Sequence, residues 1–149
     1  MAKAGIGSAA DSLALLLLRV PLGLIFMAHG SQKLFGLFGG PGVSATLKTF
    51  EEKMGIPPIL TILAMIAEFG GGLGVLLGCV TRLSASGIAA VMVVAIYKVH
   101  LASGFFLNLS CLPGRGQGIE YNIALLGMAL SLVCTGGGKW AVDRMLWRR

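Results

Sequence analysis

The chain has 149 residues, of which 56% are apolar and only 12% are charged. Ordinary globular domains carry roughly 25% charged residues, so this composition excludes a typical cytosolic enzyme, a secreted disulfide scaffold and a disordered chain. It predicts an all-α protein that crosses a lipid bilayer several times. The chain has 12 Lys and Arg against 6 Asp and Glu. Because membrane proteins collect basic residues in their cytoplasmic loops, we do not expect nucleic acid as a partner.

Four apolar segments predict a four-helix transmembrane bundle in a single domain that covers residues 1–149. The segments are residues 12–37, 57–79, 83–104 and 119–135. A helix crosses the hydrocarbon core with about 20 apolar residues, so each segment is of suitable length. Charged side chains interrupt the first three segments, but all of their neighbours are apolar. We therefore predict that all four cross the membrane and that the first is not a cleaved signal peptide.

The loop after the first segment contains a helical pattern. Val43, Leu47, Phe50 and Met54 are spaced by four, three and four residues, and charged residues fall mostly on the other side. This spacing predicts a short amphipathic helix in the first outer loop, ended by Gly55. Basic residues are in excess on the side of the two termini, which predicts that both termini are cytoplasmic.

Two charges in the predicted spans are expected to pair. A charge at the centre of a membrane helix costs roughly 2.5–3.5 kcal/mol, so it marks a functional position by default. Arg19 lies in the inner half of the first span and Glu68 lies near the middle of the second, within reach of a long guanidinium. We predict an Arg19–Glu68 ion pair, which either fixes the register of the two helices or belongs to a functional site.

Further polar residues gather in the outer halves of the spans and predict a ligand pocket. Its members are His29, Lys33, Tyr97, His100 and Glu120, with Glu68 at its floor. Histidines and carboxylates at this depth can pass protons, and such a cavity suits the head group of a quinone. Glu120 has a second explanation, since an acid is favoured at a helix N-terminus. No metal site is expected, because the histidines lack metal-ligand spacing.

Lys98 is a separate case on the third span. On a regular helix it lies about 200° from His100, so the two can face one small ligand only if the helix is distorted. Lys98 can instead extend towards the lipid headgroups.

Small residues and cysteines add two weaker predictions. Gly70, Gly74 and Gly78 recur every four residues in the second span, a pattern that lets another helix approach closely, either within the bundle or from a second protomer. Cys111 stands alone in the second outer loop, as a candidate reactive thiol or a site of pairing with a partner subunit.

Several motifs together resemble the DoxX family of membrane proteins. They are RVPLGLIFMAHGSQKL at 19–34, MGIPP at 54–58, AEFGG at 67–71, TR at 81–82, GIE at 118–120 and GKWAVD at 138–143. The resemblance implies a four-helix protein of the bacterial inner membrane, related to a subunit of a thiosulfate:quinone oxidoreductase.

The residues and the resemblance lead to one main functional hypothesis. The chain is expected to be a membrane component of a redox system that binds quinone or docks an oxidoreductase partner subunit, with its own catalytic role left open. One alternative is a non-catalytic scaffold or assembly subunit that uses the glycine pattern and the outer loops for protein contacts. A small transporter is the third alternative, although four spans without an internal repeat are few for one.

Overall fold

The computed structural model describes residues 9–146, which form helices and connecting loops without a strand. The all-α prediction is confirmed. The helices are α1 (Ala9–Phe35), α2 (Gly42–Met54), α3 (Pro58–Leu77), α4 (Thr81–Ala95), α5 (Glu120–Thr135) and α6 (Val142–Leu146). A 3-10 turn at Leu37–Gly39 follows α1, and α4 continues into a π turn at Ile96–His100 and a 3-10 turn at Leu101–Ser103.

In the described part of the chain, three helical stretches are long and apolar enough to cross a membrane: Ala9–Phe35, Pro58–Leu77 and Thr81–Ser103. The fourth predicted span corresponds to α5, an apolar helix of 16 residues. At about 1.5 Å per residue it is roughly 24 Å long, somewhat less than the hydrocarbon thickness of about 30 Å. The outer surfaces of the helices carry many exposed leucines and valines, as expected of helices that lie in a lipid bilayer.

The amphipathic helix predicted after the first span is confirmed as α2. It ends where Gly55 takes a left-handed conformation with φ 62°, and the Gly55 amide donates to the carbonyls of Glu51 and Phe50. Gly36, with φ 69°, similarly separates α1 from the turn that follows. These left-handed positions are accessible to glycine without the steric cost of a side chain.

The crossing of α1 and α3 depends on glycines outside the predicted four-residue pattern. A Cβ on Gly23 would lie 2.8 Å from the carbonyl oxygen of Gly72, and one on Gly72 would lie 2.7 Å from the amide nitrogen of Met27. A Cβ on Gly30 would likewise lie too close to the backbone of Phe69, 2.7 Å from its Cα. The absence of side chains at these points lets the two backbones approach closely.

Within the bundle, Gly70, Gly74 and Gly78 do not form a single packing surface, and their contact with a second protomer stays a prediction. Gly70 is exposed and has open space around its Cα, whereas Gly74 packs against Ser84 at the start of α4. Gly78 lies beyond the end of α3, where φ is 71° and the neighbour is the Arg19 guanidinium. Gly78 differs from the other two because α3 ends at Leu77.

The predicted Arg19–Glu68 ion pair is also wrong. Arg19 is 1% exposed, and its guanidinium donates to four carbonyl oxygens. The acceptors are Val75 and Leu76 (each 2.9 Å), Gly137 (2.9 Å) and Trp140 (3.2 Å). The carbonyls in the last turn of a helix lack partners within it, so the guanidinium extends towards this end of α3. Glu68 is seven residues earlier, roughly 10 Å away along the helix axis.

Asp143 of α6 holds the beginning of α4. Its carboxylate accepts the amide of Val80 at 2.6 Å, and the amide and hydroxyl of Thr81 at 2.8 and 2.7 Å. Burial by itself raises the pKa of Asp143, but the hydrogen bonds from Thr81 and Val80 and the charge of Arg19 outweigh it. The pKa therefore lies below its ordinary value. The carboxylate supplies the acceptor that unpaired amides at a helix start require.

Replacing Asp143 with Asn is expected to destabilise the protein by about 1 kcal/mol at neutral pH, because one of the two accepting oxygens is replaced by an NH2 group that cannot accept a hydrogen bond. A lowered pKa means that the carboxylate stabilises the fold above its ordinary titration range, and that this stabilisation is lost as pH falls through the folded-state pKa. Thermal unfolding of both proteins in detergent should therefore show a Tm difference that shrinks below about pH 4. A difference independent of pH would contradict a role for the charge.

Candidate functional site

A cavity of about 790 Å³ lies in the half of the bundle opposite Ala9 and Leu146. Residues of α1 to α5, of the π turn and of the loop before α5 line it, and most of them are apolar. The polar side chains in the lining are His29, Lys33, Glu68, Lys98, His100, Gln117, Tyr121 and Asn122. The volume is within the range of about 300–1,000 Å³ that is typical of ligand sites.

Glu68 is the buried acid of this cavity. Its side chain projects from the middle of α3 and is 3% exposed. Oε1 accepts a hydrogen bond from the Lys33 ammonium, with which it forms an ion pair. Oε2 is buried and has no hydrogen-bond partner among the described residues. An unpaired oxygen in a buried carboxylate is costly, so its position in a cavity lining indicates a place for a donor.

Lys33, and not Arg19, forms the ion pair with Glu68. It lies in the last turn of α1, half-buried, and its Nζ is 5.5 Å from the centre of the Phe50 ring on α2. Glu68 and the aromatic face together hold the ammonium at the cavity wall. α2 thus belongs to the site, which periodicity alone did not indicate.

The π turn at Ile96–His100 explains how Lys98 and His100 reach the same cavity. A π turn inserts an extra residue into the helical repeat, so the residues after it no longer follow the angular spacing of an α-helix. Lys98 donates from Nζ to the Met54 carbonyl at 3.2 Å, and Nδ1 of His100 is 2.9 Å from the Gln117 carbonyl. The prediction that a distortion is needed for both to face one site agrees with this geometry.

Two predicted pocket residues lie outside the lining. Tyr97 is 71% exposed, because the π turn directs it away from the cavity. Glu120 begins α5, and its Oε1 accepts the amide of Leu107 at 2.7 Å. Its role is to hold the loop that precedes α5, so both pocket assignments are corrected. His29, Lys33, Glu68 and His100 do line one cavity.

Asn122 and Gln117 are polar lining residues that the sequence analysis missed. Asn122 is buried in the first turns of α5, and its amide lies 3.7 Å from the Met92 sulfur. A carboxamide inside an apolar segment is the signal that could have identified it. The side-chain oxygen of Gln117 accepts the amide of Asn108 at 2.8 Å, which orders the loop beside the cavity.

The cysteines lie outside the cavity lining, and all three are free thiols. Cys111 is exposed and has φ 48°. Its reactivity as a thiol stays a prediction. Among residues 9–146 there is no group of three or more His, Cys, Asp and Glu side chains placed to hold a metal ion.

The family model for DoxX matches residues 14–101 of this chain. "Inner membrane protein YqjF" of Escherichia coli (strain K12) is 28% identical over 136 residues, which cover 91% of this chain and 94% of that protein. "Uncharacterized membrane protein Rv3486" of Mycobacterium tuberculosis is 31% identical, with 89% and 80% covered. "Putative oxidoreductase CatD" of Bacillus subtilis is 29% identical, with 89% and 87% covered. No solved structure matches this chain.

Proposed function

Since this chain belongs to the DoxX family of membrane proteins, we propose that it is the membrane component of a redox system and binds a lipid-soluble molecule of the quinone class. The observation that carries the proposal is that Oε2 of Glu68, buried in the wall of a large apolar cavity, has no hydrogen-bond partner among residues 9–146. A ligand that fits must bring apolar surface together with a polar head. Quinones and their reduced forms combine an aromatic-sized ring, two oxygens and an apolar tail.

The chemistry of the wall matches both parts of such a molecule. Apolar side chains such as Phe26, Met92 and Leu125 can cover a ring, while the Lys33 ammonium can donate to a ring oxygen. Reduction of a quinone to a quinol takes up two electrons and two protons. We assign the electrons to an oxidoreductase partner and the protons to His29, Lys33 and Glu68, which line the cavity. The name of the Bacillus subtilis relative, which calls that protein an oxidoreductase, supports a redox setting.

Access from the bilayer supports a lipophilic ligand. α3 and α4 are close where Gly74 meets Ser84 and where Gly87 faces Ala67. Further along, Leu63 and Val94 line the cavity and are still about half exposed. We propose that the ligand enters between α3 and α4 without leaving the membrane.

The orientation proposed for the chain places both termini in the cytoplasm and the cavity in the outer half of the inner membrane. Cys111 would then react from outside the cell membrane with a thiol reagent that cannot cross it. Labelling only after the membrane is broken would contradict this orientation.

Replacing Glu68 with Ala is expected to weaken binding of a short-chain benzoquinol, kept reduced, about tenfold, because the variant loses the acceptor at Oε2 and the acid that positions the Lys33 ammonium. Calorimetric titration of the purified protein in detergent measures the change in Kd. Glu51→Ala, at an exposed position on α2, is the control and should bind like the wild type. Absence of binding to the wild type, or equal binding to wild type and Glu68→Ala, would overturn the proposal.

A further inference from the structure

We infer that the cavity prefers the reduced, hydroxyl-bearing form of its ligand, a quinol, to the corresponding quinone. The inference rests on the proposed function and adds to it the redox state that the site selects. It follows from the unequal surroundings of the two carboxylate oxygens of Glu68. Oε1 accepts from Lys33, whereas Oε2 is buried and accepts nothing from the described residues.

A carboxylate oxygen can accept hydrogen bonds but cannot donate them. The oxygens of a quinone are also acceptors, so a quinone head facing Oε2 leaves both groups without a donor. A quinol hydroxyl supplies the missing proton and forms an O–H···O bond to a charged acceptor, a strong type of hydrogen bond. The apolar lining excludes most of the competing polar groups, which increases the difference between the two forms.

Lys33 determines which hydrogen-bond donor is available to the oxidised form, the quinone. Its ammonium has three protons, one of which is used by Glu68, and the Phe50 ring covers another side of it. A quinone can accept one of the remaining protons, so it still binds. Lys98 and His100, which line the same cavity, each make a hydrogen bond with a backbone carbonyl, of Met54 and Gln117 respectively. Among the described residues, Oε2 of Glu68 is the buried side-chain oxygen that lacks a hydrogen-bond partner, so we assign to it the distinction between the two redox forms.

The preference has a thermodynamic consequence for the bound couple. A site that binds the reduced form more tightly stabilises it, and so raises the reduction potential of the bound pair above that of the free pair. For a two-electron couple, a tenfold ratio of the two Kd values corresponds to about 30 mV. The bound quinone would thus be easier to reduce than the quinone in the surrounding bilayer.

Three compounds that share the same ring and tail test the inference with the wild-type protein. They are a decyl-substituted benzoquinone, its quinol kept reduced under anaerobic conditions, and the dimethyl ether of that quinol, in which no hydroxyl proton remains. Calorimetric titration at one detergent concentration is expected to give a Kd about tenfold lower for the quinol than for the quinone. The dimethyl ether should bind no better than the quinone, because it can only accept hydrogen bonds.

The Glu68→Gln variant tests whether the carboxylate of Glu68 causes the preference for the quinol. When its carboxamide oxygen faces Lys33, its amide nitrogen faces the ligand and donates, so the preference should reverse in favour of the quinone. Glu51→Gln, the same change at an exposed position of α2, should keep the wild-type ratio. Equal affinities for quinol and quinone in the wild type, or tight binding of the dimethyl ether, would overturn the inference while leaving the proposed function intact. Absence of binding by all three ligands would overturn the proposed function itself.

Discussion

Replacing Arg19 with Leu is expected to lower the free energy of unfolding by about 3–5 kcal/mol, because each buried carbonyl left without a donor costs roughly 1–3 kcal/mol. The side chain is almost fully buried and donates to four carbonyls. Two belong to the last turn of α3, and two to the segment that connects α5 and α6. The variant leaves these acceptors unpaired and separates three parts of the chain that the guanidinium joins.

Denaturant titration in mixed micelles, followed by circular dichroism, measures this loss. Arg82→Leu is the matched control, because Arg82 is exposed and donates only to the Cys134 carbonyl among the described residues. Its effect should stay within about 0.5 kcal/mol. Arg19→Lys should recover little of the stability, because a single ammonium cannot reach the same spread of acceptors. Full recovery by Arg19→Lys would mean that charge alone explains the requirement for Arg19.

Gly72→Ala is expected to destabilise the protein by about 1–3 kcal/mol, the usual range for forcing extra atoms into a packed contact. The new Cβ would lie 2.7 Å from the Met27 amide nitrogen and 2.9 Å from the Gly23 carbonyl oxygen. Both are backbone atoms, so relief requires α1 and α3 to move apart. The same titration measures the effect.

Gly70→Ala provides the matched control two residues earlier in the same helix. Nothing lies within 4 Å of a Cβ at this position. Because Ala is favoured over Gly in a helix by up to about 1 kcal/mol, the change should be neutral or stabilising. Equal destabilisation by the two variants would contradict the assignment of the α1–α3 contact to Gly72.

Much of the candidate site was predictable from the sequence, because polar residues in apolar segments are rare and therefore conspicuous. His29, Lys33, Glu68 and His100 were selected for this reason, and all four line one cavity. Tyr97 was misplaced because its assignment assumed a regular helix through Ile96–His100, where the structure has a π turn. Phe50 was missed because the pattern in α2 shows which side of that helix is apolar, but does not show what that side contacts.

The sequence by itself determined the membrane class, the positions of the apolar segments and the end of α2 at Gly55. These features follow from composition, hydropathy and local backbone preference, each of which acts over a few neighbouring residues. Only the tertiary structure decided that Lys33 pairs with Glu68 and that Arg19 binds carbonyls at the end of α3. Long cationic side chains can reach several acceptors, and which acceptors remain unpaired depends on where helices end and how closely they pack.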